Sequence, residues 1–202
     1  MKEAFFVRVH PLCVPAAVLI CVLNPPRVLC VMALCVILHE AGHLIVCAIQ
    51  KRRVFGLMIE PLGLKLAVQT LGFSYLQDLA MHLGGPAASF LSAGASFGMI
   101  RLSHGDPYCF FALYFNLFLG AFQLIPFSGS DGANALFSLC CERRGFAFAE
   151  RAGRIAERVS AVCMLAFGVL SVIVTGFHLS VCVFFLSLAL VALPSFFSGK
   201  KA

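Results

Sequence analysis

Long apolar runs broken by short polar punctuation dominate the chain. Six of them, Leu12–Leu23, Val28–Gln50, Leu79–Ile100, Tyr108–Ile125, Val159–Gly176 and Leu179–Phe197, read as membrane spans. A crossing needs about 20 residues at a rise of about 1.5 Å each, and the first run is short for that. Pro11, Pro25, Pro26, Pro107 and Pro194 stand at the ends of these runs, where a helix loses its ladder cheaply. Two stretches leave the helical period. Phe5, Val7 and Val9 alternate with Phe6, Arg8 and His10, which predicts a short N-terminal strand over 5–10. Val54–Ile59 and Leu64–Val68 flank Glu60-Pro61-Leu62-Gly63, which predicts a hairpin over 54–68 at the membrane surface. A plain cytoplasmic loop is the competing reading there. The pattern as a whole predicts an all-α polytopic membrane protein: six transmembrane helices, with a short membrane-associated β-hairpin or sheet after the second.

Composition sharpens this. Hydrophobic residues make up 61% of 202 and charged residues 12%, about half of what a soluble globular chain carries. A water-soluble domain of this size cannot hide so much apolar surface. A soluble enzyme, a disordered chain and a nucleic-acid-binding module are excluded on that ground, and the lipid bilayer is the expected partner. The net charge of +6 matters less than where it sits. With the N-terminus inside, the inner side holds Lys2, Arg8, Lys51, Arg52, Arg53, Lys65, Arg143, Arg144, Arg151, Arg154, Arg158, Lys200 and Lys201; only Arg27 and Arg101 fall outside. Both termini are expected in the cytoplasm. Asn24-Pro25-Pro26-Arg27 follows the first run without a small-x-small site, so a cleaved signal peptide is not expected. The ten cysteines form no Cys-x-x-Cys pair and sit mostly in apolar runs, as small reduced hydrophobes do.

The second span contains His39-Glu40-Ala41-Gly42-His43. Residues i and i+4 share a helix face, so both imidazoles can reach one metal ion. Glu40 follows the first histidine, and its carboxylate can approach water at the metal without being a ligand. Three polar groups inside an apolar helix are expensive unless they have such a use. A hydrolytic zinc site has three protein ligands and one open position. Candidates for the third are Glu60, Asp78, Asp106, His82 and Asp131. Asp131 stands out because Pro126-Phe127-Ser128-Gly129-Ser130-Asp131-Gly132 breaks a helix at membrane depth, which is tolerated where backbone is packed in protein or lines a wet cavity. Asp131 also suits the N-cap of a following helix.

At these residues the chain resembles the site-2 protease family of intramembrane zinc metalloproteases. The match runs through His39, Glu40 and His43, then Asn116-Leu117, Gln123-Leu124-Ile125-Pro126 and Ser130-Asp131-Gly132, with Gly84-Gly85-Pro86 similar to the family's Ala-Gly-Pro and Glu60-Pro61-Leu62-Gly63 to its Leu-Pro-x-Gly-Gly loop. Val9-His10-Pro11 also fits, and the layout is most similar to the sporulation branch, the stage IV sporulation protein FB type. Gln123, Gly129, Ser130 and Ser89 depart from the family's Asn, Pro, Leu and Asn.

The resemblance implies Zn²⁺ held by His39, His43 and Asp131, with Glu40 as the catalytic base. It implies a membrane-associated protein substrate, in that branch a pro-sigma factor, and an extended segment of it could be taken up by strand addition on the hairpin, near Pro61 and Gly63, and the N-terminal strand. Asn116 and Gln123 would hydrogen-bond that segment; helix–helix hydrogen bonding is their competing role. A single transmembrane metalloprotease domain over 1–202 is implied, with no CBS or PDZ domain, in a bacterial cell membrane, with membrane regulatory proteins as further partners. Two alternatives stay open. One is an inactive zinc-binding scaffold of the same fold. The other is an intramembrane aspartyl protease, since Gly129-Ser130-Asp131 faintly resembles that class; it needs a second in-membrane Asp.

Overall fold

The N-terminal strand and the hairpin join in one sheet. In the computed structural model, which describes residues 5–9, 11, 13–60, 63–102 and 105–174, β1 (Phe6–Val9) pairs in parallel with β2 (Val54–Glu60), and β2 pairs antiparallel with β3 (Gly63–Val68). The sheet order is β1-β2-β3. Registers run Phe6↔Gly56 to Val9↔Ile59 and Leu57↔Leu66 to Glu60↔Gly63, with an irregularity between Val54 and Gly56. The hairpin reading therefore holds over the loop reading. Pro61, His10 and the sixth predicted span lie outside the described residues.

The chain divides into two compact units, Met1–Phe122 and Gln123–Ala202. In the first, α1 (Cys13–Leu23) follows β1 and is tied to the sheet by Cys13 Sγ, which donates to the Ile59 carbonyl at 3.2 Å. Pro25, in extended conformation, precedes α2 (Pro26–Ile49), with proline at the first helical position where no N–H is needed. Its buried stripe recurs every four residues: Cys35, His39, His43, Cys47. After the sheet, α3 (Tyr75–Leu102) lays a matching stripe of Met81, Gly85, Ser89 and Ala93 against α2. Backbones touch where Gly42 meets Gly84, because a Cβ on Gly42 would overlap the Gly84 carbonyl. Small residues permit such close approach between membrane helices. Next comes α4 (Pro107–Leu124), whose first turn is capped by Asp106 Oδ1 accepting from Tyr108 N at 2.8 Å.

α2 ends in a Schellman motif. Lys51 N donates to the Ala48 carbonyl at 3.1 Å and Arg52 N to the Cys47 carbonyl at 2.9 Å, with Lys51 left-handed at φ 58°. A side chain pays for that conformation and glycine does not. Lys51→Gly is therefore expected to raise unfolding stability in detergent by about 1 kcal/mol. A lowered midpoint in the unfolding curve would count against the cap.

The second unit begins as α4 ends. Gly129, at φ 87°, closes a tight turn; proline, locked near −65°, cannot take that position, so the family's proline here would need another backbone path. Then follow α5 (Asp131–Arg144) and α6 (Phe146–Val174), packed on each other and separated by Gly145 at φ 81°. The span predicted from Val159 is thus the second half of a longer helix. Its first turns carry Arg and Glu, which hide a span from hydropathy but are good helix formers.

Among the described residues, three helices are long and apolar enough to cross a membrane: α2, α4 and α6. With 11 residues, α1 reaches about 16 Å, against a hydrocarbon core of about 30 Å. α3 has the length, at 28 residues, but carries Gln77, Asp78, His82, Arg101 and many Gly, Ala and Ser.

Candidate metal centre

Helical spacing puts His39 and His43 one turn apart on α2, and packing against α3 buries them to 2% and 6% exposure, with Glu40 at 8%. Their rings stand edge to face, with centroids 5.1 Å apart and planes at 76°. α3 fixes both. His43 Nδ1 lies 2.8 Å from the Met81 carbonyl. A carbonyl only accepts, so Nδ1 carries the proton and Nε2 presents its lone pair. His39 Nδ1 lies 2.9 Å from Ser89 Oγ. Both Nε2 atoms turn to one place, the face of Gly85: a Cβ there would lie 2.6 Å from His39 Nε2 and overlap His43 Nε2. Only glycine leaves that space open. Metal-ligating histidines have this arrangement, with the far ring nitrogen anchored so that the near one is aimed.

Asp131 is the first residue of α5. The N-cap role considered for it belongs to Ser130, which is fully buried and whose Oγ accepts from Ala133 N at 3.1 Å. Ser130 Oγ also donates toward the Ile125 carbonyl at 2.7 Å and lies 2.9 Å from the Phe127 carbonyl. This short polar residue, where the family has Leu, organises the turn before Asp131. A Cβ on Gly132 would overlap the backbone of Leu124, so the small residue after Asp131 lets α5 start hard against the end of α4.

His39 and His43 in the first unit, and Asp131 in the second, are of the donor types that a metal ion takes. Two neutral imidazoles and a carboxylate are the composition of a hydrolytic zinc site. The other third-ligand candidates are engaged elsewhere or placed apart. Asp78 pairs with Arg52 at 2.7 Å. Asp106 caps α4, Glu60 ends β2, and His82 is half-buried on α3. Asp78 and Asp106, on which an aspartyl dyad with Asp131 would have to draw, both have structural partners.

Among the tentative substrate contacts, Asn116 is 1% exposed, and its Nδ2 donates to the Ala112 carbonyl at 2.9 Å and to Cys35 Sγ at 3.2 Å. It thus joins α4 to α2 one turn before His39. Its Oδ1 is buried without a hydrogen-bond partner among the described residues. Gln123 lies half-buried in the last turn of α4, and Gly63 opens β3 opposite Glu60.

Ser89 and the Met81 carbonyl are functional groups that sequence reasoning did not identify. Ser89 registers there only as a departure from Asn. Ser89→Ala is expected to weaken metal affinity about 10- to 100-fold, the usual effect of removing a ligand's outer partner. Competition with a chromophoric chelator measures it, and an unchanged affinity would remove Ser89 from the site.

No family model and no curated protein matches the chain. Among solved structures, it shares its fold with the site-2 protease from Methanocaldococcus jannaschii, with a TM-score of 0.69 and 20% sequence identity, over 100% of this chain and 94% of that one.

Proposed function

We propose that the chain is an intramembrane zinc metalloprotease. The observation that carries this reading is the paired presentation of His39 and His43, anchored through Nδ1 and converging through Nε2 beside a glycine. The shared fold supports it. Asp131 is the third ligand in this reading. When bound, zinc would lower the pKa of water toward about 7 and polarise a substrate carbonyl. Glu40 takes the proton from the attacking water at its carboxylate and delivers it to the leaving amine nitrogen. The Met81 carbonyl holds His43 in the tautomer that ligation requires, and Ser89 Oγ orients the ring of His39. The buried setting limits access of bulk water to Glu40 and both histidines.

The substrate is a membrane-associated protein in this reading. A helical peptide bond is shielded by its own turn, so the segment cut must be extended. Among the described residues β3 is an outer strand of its sheet, and backbone there can take up an extended segment by strand addition. The motif resemblance to the sporulation branch makes a membrane-tethered pro-sigma factor the first substrate to try. The distribution of Lys and Arg supports a bacterial membrane orientation with both termini inside.

The test is cleavage of tethered candidate substrates by the purified chain in bilayers. Cleavage should stop with a zinc chelator and return on adding zinc. Cleavage that survives chelation, or that yields instead to an aspartyl transition-state inhibitor, would contradict the proposal.

A further inference from the structure

Arg52 reads in the sequence as one of a cluster of cytoplasmic surface charges. The structure buries it: its side chain has no exposure, and the whole residue has 6%. A guanidinium out of water is costly unless several partners hold it, and plain stability is a poor reason to keep one. Its partners come from three different elements. Nε donates to Gln50 Oε1, at the end of α2, at 2.5 Å. Nη1 donates to the Gln69 carbonyl, one residue past β3, at 3.3 Å, and pairs with Asp78 Oδ1, in the first turn of α3, at 2.7 Å. The guanidinium lies 4.1 Å from the centroid of Phe73, in the link between β3 and α3. Gln50 Nε2 adds a second tie, donating to the Gln77 carbonyl at 2.9 Å. Gln69 N closes the base of the hairpin on the Arg53 carbonyl at 2.9 Å.

Asp78 stands three residues, about one helical turn, before Met81, whose carbonyl anchors His43 Nδ1. A physical line therefore runs from the hairpin base through Arg52 and Asp78 to α3, and from α3 to the aimed imidazole. We propose that Arg52 and Asp78 are positioning residues that make order in the β2–β3 hairpin and presentation of His43 to the metal depend on each other. A strand added to the hairpin would then be felt at the ligand. The inference rests on the zinc-site reading above.

The experiment compares the full chain in nanodiscs with Arg52→Lys, Asp78→Asn and Ser89→Ala. Two readouts are taken: amide hydrogen exchange over 54–68, and zinc affinity by chelator competition. Lysine keeps the charge but loses the planar fork and the ring stacking; asparagine keeps the shape but loses the charge. Both variants should speed hairpin exchange at least about tenfold and weaken zinc about tenfold, within the range for outer-shell partners. Ser89→Ala should weaken zinc and leave hairpin exchange alone. Exchange in α4, which belongs to the same unit, reports whether each variant is folded, and Asp78→Asn decides alone if Arg52→Lys does not fold.

Zinc affinity at the wild-type level in the Arg52 and Asp78 variants would overturn the inference, and so would zinc loss without hairpin loosening. A wild-type chain that takes up no zinc defeats the metalloprotease reading instead. That outcome is distinct from one in which wild type and variants bind zinc equally well.

Discussion

Glu40→Gln is expected to lower peptide cleavage by at least about 100-fold while bound zinc stays at one per chain, since a positioned general base contributes about 10²- to 10⁴-fold. The substitution is close to isosteric, so the buried shape around residue 40 is kept. What is lost is basicity, because an amide does not take a proton from water at neutral pH. The nitrogens assigned to the metal in the proposed reading belong to His39 and His43, anchored independently by Ser89 and Met81. Single-turnover cleavage and metal content, measured on the same preparation, separate the two effects. Cleavage near the wild-type rate would contradict the assignment of Glu40. Loss of zinc would make Glu40 a structural partner of the site and not its base.

Gly85→Ala carries the second large effect. One added methyl group would enter the space in front of both Nε2 atoms. α3 is held close by the Gly42–Gly84 contact one residue away, so it cannot simply step back. Overpacking of this kind costs about 1–3 kcal/mol, and here the strain falls on the two imidazoles themselves. Loss of stoichiometric zinc is expected, with helical content retained in circular dichroism. Gly94→Ala, on the same helix with open space around it, is the control and should bind zinc normally. Normal zinc binding by Gly85→Ala would show that the imidazoles do not face the metal from this side.

The helix that carries His39 and His43, the N-terminal strand and the hairpin were legible because each rests on a period. Histidines four apart fall on one helical face, and alternating apolar residues mark strands. What was hidden rests on contacts without a local pattern. The Met81 carbonyl is a backbone group and leaves no mark in the sequence. Ser89 lies fifty residues from His39, and a serine in a small-residue helix looks like packing. Arg52 reads as a charge for orienting the chain because Lys51 and Arg53 flank it; only the fold turns it inward onto Asp78. Span counting blurred where composition and length part. α1 is apolar but short, α3 is long but rich in small and polar residues, and α6 hides its start among arginines. Asp131 stands out in the sequence by its irregular setting, while the capping role belongs to its neighbour Ser130.

X-ray absorption at the zinc edge, on the wild-type chain and on His39→Ala, His43→Ala and Asp131→Ala, tests the central claim most directly. The account predicts one zinc per chain with two imidazole nitrogens at about 2.0–2.1 Å, the rest of the shell oxygen, and loss of that site in each of the three variants. Sulfur scattering at about 2.3 Å, or an unchanged zinc site in any one of the variants, would contradict it.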